Sequence, residues 1–353
     1  MTATPTSSQI HRILILRLSA VGDIIHGLPV VRALKHHKPR MHIAWLVEDR
    51  YSCLLKNVRE VDEIIQIPRR EWKASGSLVQ TIRQARLIRY LLWEKKFDAS
   101  LDLQGLTKSA LWPWWAGIPF RIGFGGVDGR ELSRFLNNHR IKPDHRCRNV
   151  VDRNLALLGP LGVLQPKVDL SLPPDPLAAQ SIGQKLHPLS GMNKPLALLQ
   201  PGAGWETKRW PLEYFSKLGD WLMERFGYQV MILWGPGEKA MAESVFTGMK
   251  SGCVLAPETD LLELIELIRR SSLFVGGDTG PMHMAAALGV PTVAIFGGSD
   301  PERNGPYGPG HLVLTAPVEC RPCWKAHCDH LSCLRKLTPE RVMEKIETYL
   351  GNR

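Results

Sequence analysis

The chain has 353 residues, 44% hydrophobic and 22% charged, with 45 Lys+Arg against 34 Asp+Glu for a net charge of +11. That length exceeds what one hydrophobic core supports, so two domains are expected, and the composition excludes a disordered chain. No apolar run approaches a membrane span, and the polar stretch Met1 to Gln9 lacks the charged start and apolar follow-on of a signal peptide, so a cytoplasmic protein is expected.

In chain order, residues 12 to 18 (Arg-Ile-Leu-Ile-Leu-Arg-Leu) form a short apolar run before a Ser-Ala-Val-Gly-Asp turn, and a helical pattern follows to about His37. Strand-like runs occupy His42 to Val47 and Glu63 to Ile67, a long helix Leu78 to Glu94, and a further strand Ala99 to Leu103. Strands alternating with helices predict a parallel, doubly wound sheet. The pattern dissolves over Pro166 to Pro176, which reads as an interdomain linker. A second alternation then places strands at Leu196 to Leu199, Val230 to Leu233, Val254-Leu255, Leu273 to Val275, Thr292 to Phe296 and Leu312 to Leu314, with a final helix from about Thr338. There is no internal repeat. The expectation is an α/β protein of two similar halves across a cleft: residues 1–175, residues 176–335, and a C-terminal helix over 336–353 that packs back on the first.

Charge is one-sided. Residues 1–165 hold 26 Lys+Arg and 14 Asp+Glu, a net of +12; the remainder holds 19 and 20, a net of −1. A basic half implies a polyanionic partner: nucleic acid, a phosphorylated substrate or an anionic membrane surface.

The stretch from Gly276 to Pro301 carries the strongest local signal. An apolar strand over Ser272 to Val275 leads into a glycine-rich loop, and a small-residue helix begins just after Asp278-Thr279-Gly280. Such a helix start favours an anion, above all a diphosphate. The loop Gln200-Pro-Gly202-Ala203-Gly-Trp-Glu-Thr-Lys208-Arg-Trp210-Pro211 follows a strand as well: its glycines admit a phosphate close to the backbone, Lys208 adds a compact charge, and Trp210 wedges the loop in place. Glu238, after a third strand, suits ribose hydroxyls. Asp23 follows the first strand of the chain and is either a helix cap or a general base. Neither half has Gly-x-Gly-x-x-Gly after its first strand, nor a P-loop, which moves dehydrogenases and NTPases down the list.

The cysteines divide in two. Cys53, Cys147 and Cys253 are scattered, whereas Cys320-x2-Cys323-x4-Cys328-x4-Cys333, with His327 and His330 inside it, has the count of a structural zinc site. The second Cys-x2-Cys pair is absent, so buried thiols and disulfides stand beside zinc, with disulfides disfavoured in a reducing compartment.

Taken together, Arg17-Leu-Ser-Ala-Val-Gly-Asp23-Ile-Ile-His-Gly-Leu-Pro29, Asp102-Leu-Gln-Gly-Leu-Thr-Lys-Ser109, Pro201-Gly-Ala with Lys208-Arg-Trp-Pro211, and Asp278-Thr-Gly-Pro-Met-His283 make nearly the whole chain resemble the lipopolysaccharide heptosyltransferases, glycosyltransferase family 9. The resemblance implies a GT-B fold of two Rossmann-like domains. It implies transfer of heptose from ADP-L-glycero-D-manno-heptose, with inversion and without a metal, to the Kdo-lipid A or growing inner core of lipopolysaccharide. By position, Asp23 is the implied acceptor base and Lys208 the group that neutralises the leaving diphosphate. Glu238 becomes a ribose contact. Gly202, Ala203, Asp278, Thr279, Gly280 and His283 complete the donor site.

The basic half then matches a phosphorylated acceptor. Arg69, Arg70 and Lys73 lie where the family places acceptor-binding residues, and Lys108, Arg121 and Arg130 extend the patch. Trp112-Pro-Trp114-Trp115 suits a membrane interface, so peripheral contact with the cytoplasmic face of the inner membrane is expected of a monomer. Trp205-Glu206-Thr207 departs from the family pattern and bears on donor detail. Other readings are a GT-B enzyme using another nucleotide sugar, a catalytically lost relative, and a nucleic-acid module built on the basic half and the Cys cluster. The last would need its basic residues beside the cysteines; because they lie in the other half, no nucleic-acid partner is expected.

Overall fold

The computed structural model describes residues 9–187 and 194–351. The chain divides into two compact units after Leu170.

The first unit runs β1 (Arg12–Leu16), α1 (Val21–Ile25), α2 (Leu28–His37), β2 (His42–Glu48), β3 (Glu63–Ile67), α3 (Arg69–Ser75), α4 (Leu78–Glu94), β4 (Ala99–Asp102), α5 (Thr107–Trp115), β5 (Phe120–Phe124), α6 (Ser133–Leu136), β6 (His139–Ile141) and α7 (Val150–Ala156). Its six strands lie in the order β3-β2-β1-β4-β5-β6, and every ladder is parallel. Ile13 to Leu16 are fully buried and pair in register with Ile43 to Leu46. That explains the unbroken apolar run: a parallel strand covered on both faces has no polar side to alternate with. Trp45 fills the middle of β2, and its indole N–H donates to the Arg17 carbonyl at 3.1 Å.

The second unit runs α8 (Pro176–Leu186), β7 (Leu196–Gln200), α9 (Leu212–Phe226), β8 (Gln229–Ile232), α10 (Lys239–Gly248), β9 (Val254–Leu255), α11 (Leu261–Arg269), β10 (Leu273–Gly277), α12 (Gly280–Ala287), β11 (Thr292–Phe296), α13 (Pro301–Asn304), β12 (His311–Thr315), α14 (Ser332–Arg335) and α15 (Pro339–Gly351). Its sheet order, β12-β11-β10-β7-β8-β9, is the topology of the first unit again, and its ladders are parallel too. In each unit the first strand pairs with both the second and the fourth. The chain direction therefore switches there, and a crevice opens at the carboxyl ends of the strands.

The predicted doubly wound α/β architecture is observed in both units. Two strands were not anticipated. Phe120–Phe124 is interrupted by Arg121 and Gly123, and His139–Ile141 is three residues long, so neither carries an apolar run of its own. The expected linker carries no helix or strand until α8, which Asp175 caps by accepting from the Ala178 N–H at 3.0 Å. Of the tryptophans proposed for a membrane interface, Trp112 and Trp115 pack into the first unit's core with Trp72, and Trp114 is exposed. Among the described residues, no helix is long and apolar enough to cross a membrane.

The helix set apart as residues 336–353 has its own packing within the second unit. Val342 and Ile346 are fully buried among Phe215, Leu218, Leu222 and Leu337. Ile346→Ala is expected to lower the unfolding free energy by about 3 kcal/mol, read as a lower denaturant midpoint at constant m-value. A loss below about 0.5 kcal/mol, the range of surface substitutions, would show that α15 does not complete that core.

Candidate functional site

In the second unit the predicted donor residues all follow carboxyl ends of strands: Gly202, Ala203 and Lys208 follow β7, Glu238 follows β8, and Asp278, Thr279, Gly280 and His283 follow β10 or open α12. Lys208 Nζ lies 2.7 Å from Asp278 Oδ2, with the two side chains 18% and 5% exposed. Asn304 Nδ2 donates to the same oxygen at 3.3 Å, and His283 Nε2 stands 3.5 Å from Oδ1. Burial alone would raise the Asp278 carboxyl. The hydrogen bond from His283 and the Lys208 charge outweigh it and hold the group well below the ordinary carboxylate range.

Thr279 is the N-cap residue of α12, yet its hydroxyl donates to the Gly277 carbonyl at 3.4 Å instead of accepting from the helix. The helix thus begins without a side-chain cap, and its first-turn N–H groups and dipole are available to an anion. Lys208 Nζ also lies 5.0 Å from the centre of the Trp205 ring. Trp210 is a wedge, as its sequence context suggested: it is fully buried and donates to the Leu337 carbonyl at 2.8 Å.

Glu238 belongs to the same set of loops. Its Oε2 accepts from the Gly235 N–H at 3.0 Å and from Gln200 Nε2 at 3.1 Å. A Cβ at position 202 would displace this carboxylate, so Gly202 leaves the room in which Glu238 is held. Ala203 is buried, and its carbonyl accepts from Arg209 Nε at 2.8 Å.

The Cys-rich segment straps two of these loops together. Thr207, adjacent to Lys208, donates through Oγ1 to the Lys325 carbonyl at 2.5 Å, and Arg321 Nε donates to the Gly297 carbonyl at 2.5 Å. Cys323 N donates to Gly298 O at 2.9 Å. Any side chain at Gly297 would strike the Thr207 carbonyl. Cys333 is buried in the second unit's core, which pushes its thiol up. Among the described residues, no group of three or more His, Cys, Asp and Glu is arranged to hold a metal ion. The cysteines are described as free thiols.

In the first unit Asp23 sits in the first turn of α1. Its Oδ2 accepts from the Ala20 N–H at 3.2 Å, and Oδ1 pairs with the Arg17 guanidinium. The capping role is therefore real, and it coexists with a half-exposed carboxylate oriented by a buried arginine. Lys108 Nζ donates to Ser19 Oγ at 3.0 Å and lies 3.9 Å from the buried Glu48. Arg50 stands 3.5 Å from Glu48 and stacks over Tyr51 at 4.4 Å.

Buried Asp102 organises the loop that leads to Lys108. Its Oδ1 accepts from the Gln104 and Gly105 N–H groups at 3.1 Å each, and its Oδ2 from Asn137 at 3.1 Å. Arg130 docks on the same loop through its own N–H to the Gly105 carbonyl at 3.0 Å. Arg69, Arg70 and Lys73 are exposed on α3, directly after β3. Arg121 does not join them. It lies in the amino-terminal half of β5, paired with Ser100, and its guanidinium is spent on the Leu136 and Ile118 carbonyls at 2.8 and 2.6 Å.

The chain as a whole has known relatives. The model of glycosyltransferase family 9 (heptosyltransferase) matches residues 85–333. The chain belongs to that family. It is 31% identical to lipopolysaccharide heptosyltransferase 2 of Salmonella typhimurium, over 96% of this chain and 99% of that one. It is 28% identical to lipopolysaccharide heptosyltransferase 1 of Pseudomonas aeruginosa, over 96% and 98%. A solved structure of the Escherichia coli ADP-heptose lipopolysaccharide heptosyltransferase II superposes with a TM-score of 0.76 at 26% identity, covering 97% of this chain and 99% of that one. The two-sheet architecture is that of GT-B heptosyltransferases, and the chain is a glycosyltransferase by family.

Several residues of this candidate site went unassigned in the sequence. Gln200 had a signal, a polar residue ending a buried strand. Arg17 and Thr207 stood inside quoted motifs without a role, while Asn304 and Arg321 had no local signal, because only chain folding brings them to Asp278 and Gly297.

The Lys208–Asp278 pair sets a pH dependence. A carboxyl depressed on folding contributes stability above its unfolded value, about 4, and loses it as pH falls through the folded value. Lys208→Met strips Asp278 of its cation and should cost about 3 kcal/mol at neutral pH. The gap from the unmodified chain should narrow below pH about 4. Urea unfolding across pH 7 to 3 tests this, and a gap that does not change with pH would refute the coupling.

Proposed function

We propose that this chain transfers L-glycero-D-manno-heptose from ADP-heptose to the Kdo or heptose inner core of lipopolysaccharide, with inversion and without a catalytic metal. The observation that carries the reading is Lys208 held against Asp278 at the uncapped start of α12, in a family 9 chain. A diphosphate arriving at α12 offers Lys208 a second anionic partner. The lysine and the helix N-terminus together then stabilise the charge that develops as ADP leaves. That is the charge compensation a divalent cation would otherwise provide. Glu238, held over Gly202 by Gln200 and Gly235, suits the ribose hydroxyls, and Asp278 with His283 suits the heptose hydroxyls.

Asp23 is the proposed acceptor base. Its pairing with Arg17 keeps one carboxylate oxygen fixed, and about two-fifths of the side chain remains open to receive a hydroxyl proton. The acceptor's phosphates and Kdo carboxylates are assigned to Arg69, Arg70, Lys73, Lys108 and Arg130, which accounts for the basic excess without nucleic acid. The enzyme would work on the cytoplasmic face of the inner membrane, where a lipid-anchored acceptor is presented.

Two measurements test this. Calorimetric titration is expected to show ADP binding in preference to UDP and GDP, weakened about 10- to 100-fold in Lys208→Ala, as for lost hydrogen bonds to a charged group; a preference for UDP or GDP would redirect the donor assignment. In a transfer assay, Asp23→Asn should lower kcat by about 10²- to 10⁴-fold with ADP affinity unchanged. An Asp23→Asn variant with normal turnover would remove this residue from the base role.

A further inference from the structure

Helix α4 presents to solvent the kind of surface that a soluble protein ordinarily buries. Its inner side sends Ile88 and Leu92 into the first unit's core, beside Trp112 and Ala116. Its outer side carries Val79, Ile82, Tyr90 and Trp93, which are 77%, 42%, 54% and 55% exposed. At 3.6 residues per turn, these positions fall with Arg83 and Arg86 on one face of the helix. Tyr90 and Trp93 lie side by side, with ring centroids 5.8 Å apart. Leu78 and Leu87 widen the apolar strip, at 72% and 61% exposed.

A contiguous exposed apolar strip marks a contact surface, and its charge says what kind. Residues 69–96 contain eight Lys+Arg and two Asp+Glu. Arg83 and Arg86 are exposed within the strip itself, and arginine can lay its aliphatic stem on apolar surface while its charged head reaches past it. Arginine beside aromatic rings also suits a protein partner, but eight cations against two anions over residues 69–96 favour a surface that is itself anionic. A bilayer surface accommodates both at once, aromatic rings and aliphatic chains at the headgroup boundary and arginines on the phosphates.

We propose that the outer face of α4 is a docking surface for an anionic phospholipid membrane, with Val79, Ile82, Tyr90 and Trp93 entering the interface and Arg83 and Arg86 binding lipid phosphate. This deepens the acceptor half of the proposed function and rests on that reading for its purpose, but the contact itself requires neither nucleotide nor acceptor. Among the described residues no helix is long and apolar enough to cross a membrane, and a face of this kind would hold the chain reversibly at the bilayer surface.

Co-sedimentation of the full chain with vesicles tests the assignment, using phosphatidylethanolamine with phosphatidylglycerol against phosphatidylcholine alone. Binding is expected on the anionic vesicles and is expected to weaken as salt rises. Arg83→Ala with Arg86→Ala should weaken it about 30-fold, roughly fivefold per arginine. Tyr90→Ser with Trp93→Ser should weaken it about tenfold or more on the same vesicles. All four side chains are exposed, so thermal midpoints and ADP titrations should match the unmodified chain, and a variant that fails those controls is replaced by Val79→Ser with Ile82→Ser. Vesicle binding that is absent, or equal in all variants, would overturn the proposal. So would a strip that proves to hold two copies of the chain together, seen as a dimer by sedimentation that Trp93→Ser dissociates. Normal ADP binding and transfer to a delipidated acceptor alongside lost vesicle binding would leave the proposed function intact, so the two can fail separately.

Discussion

In the second unit a lysine ammonium and an aspartate carboxylate face each other at 2.7 Å with little water around either. Removing two charges from water costs several kcal/mol per ion, and mutual attraction offsets it only when the remaining hydrogen-bonding capacity is met. Here Asn304 and His283 meet it for the carboxylate, and the Trp205 ring lies near the ammonium. The pair ties the loop after β7 to the start of α12. The surrounding loops are shaped to permit that: glycines 202 and 297 admit the Glu238 carboxylate and the Thr207 carbonyl, and the segment after Arg321 straps the Thr207 and Gly297 loops. A lysine already held against an anion at an uncapped helix start needs little rearrangement to meet a second anion there, the preorganisation on which electrostatic stabilisation depends.

The first unit solves the matching problem with opposite charge balance. Asp23 is a half-exposed carboxylate set by a buried arginine, and the buried Glu48 is met by Lys108 and Arg50. Asp102 is buried like Asp278 but is met by hydrogen-bond donors. Burial pushes its carboxyl up, and hydrogen bonds from Ser109, Gly105, Asn137 and Gln104 oppose that. Its work is therefore architectural, shaping the loop that delivers Lys108 and receives Arg130. The same topology thus carries two chemistries, because the scaffold decides where strand ends gather and the loop residues decide what gathers there.

The C-terminal cysteines lie on a segment that the tertiary structure fixes through its main chain. Cys320-x2-Cys323 with two further thiols has the count of a metal site, but the backbone between them is committed elsewhere. Cys323 and Trp324 donate to Gly298, Lys325 accepts from Thr207, and Cys333 is drawn into the core. A segment whose main chain is already hydrogen-bonded to the Thr207 and Gly298 loops is positioned by those bonds, and its side chains fall where that leaves them.

Much of this protein was determined locally. Unbroken apolar runs such as Ile13–Leu16 and Thr292–Phe296 specify strands covered on both faces, and their alternation with helices specifies two doubly wound sheets, because period and turn chemistry are properties of neighbouring residues. Strand-end loops rich in Gly, Asp, Thr and Lys marked the site for the same reason. What only the tertiary structure decided is which of those residues meet: that Lys208 pairs with Asp278, that Asn304 and Arg321 brace the site, that Arg121 is spent on backbone carbonyls, and that α4 leaves an apolar, basic face uncovered. Each depends on contacts between segments far apart in the chain, and a charged or apolar side chain reads the same in sequence whether packing places it beside a partner, against a carbonyl or in water.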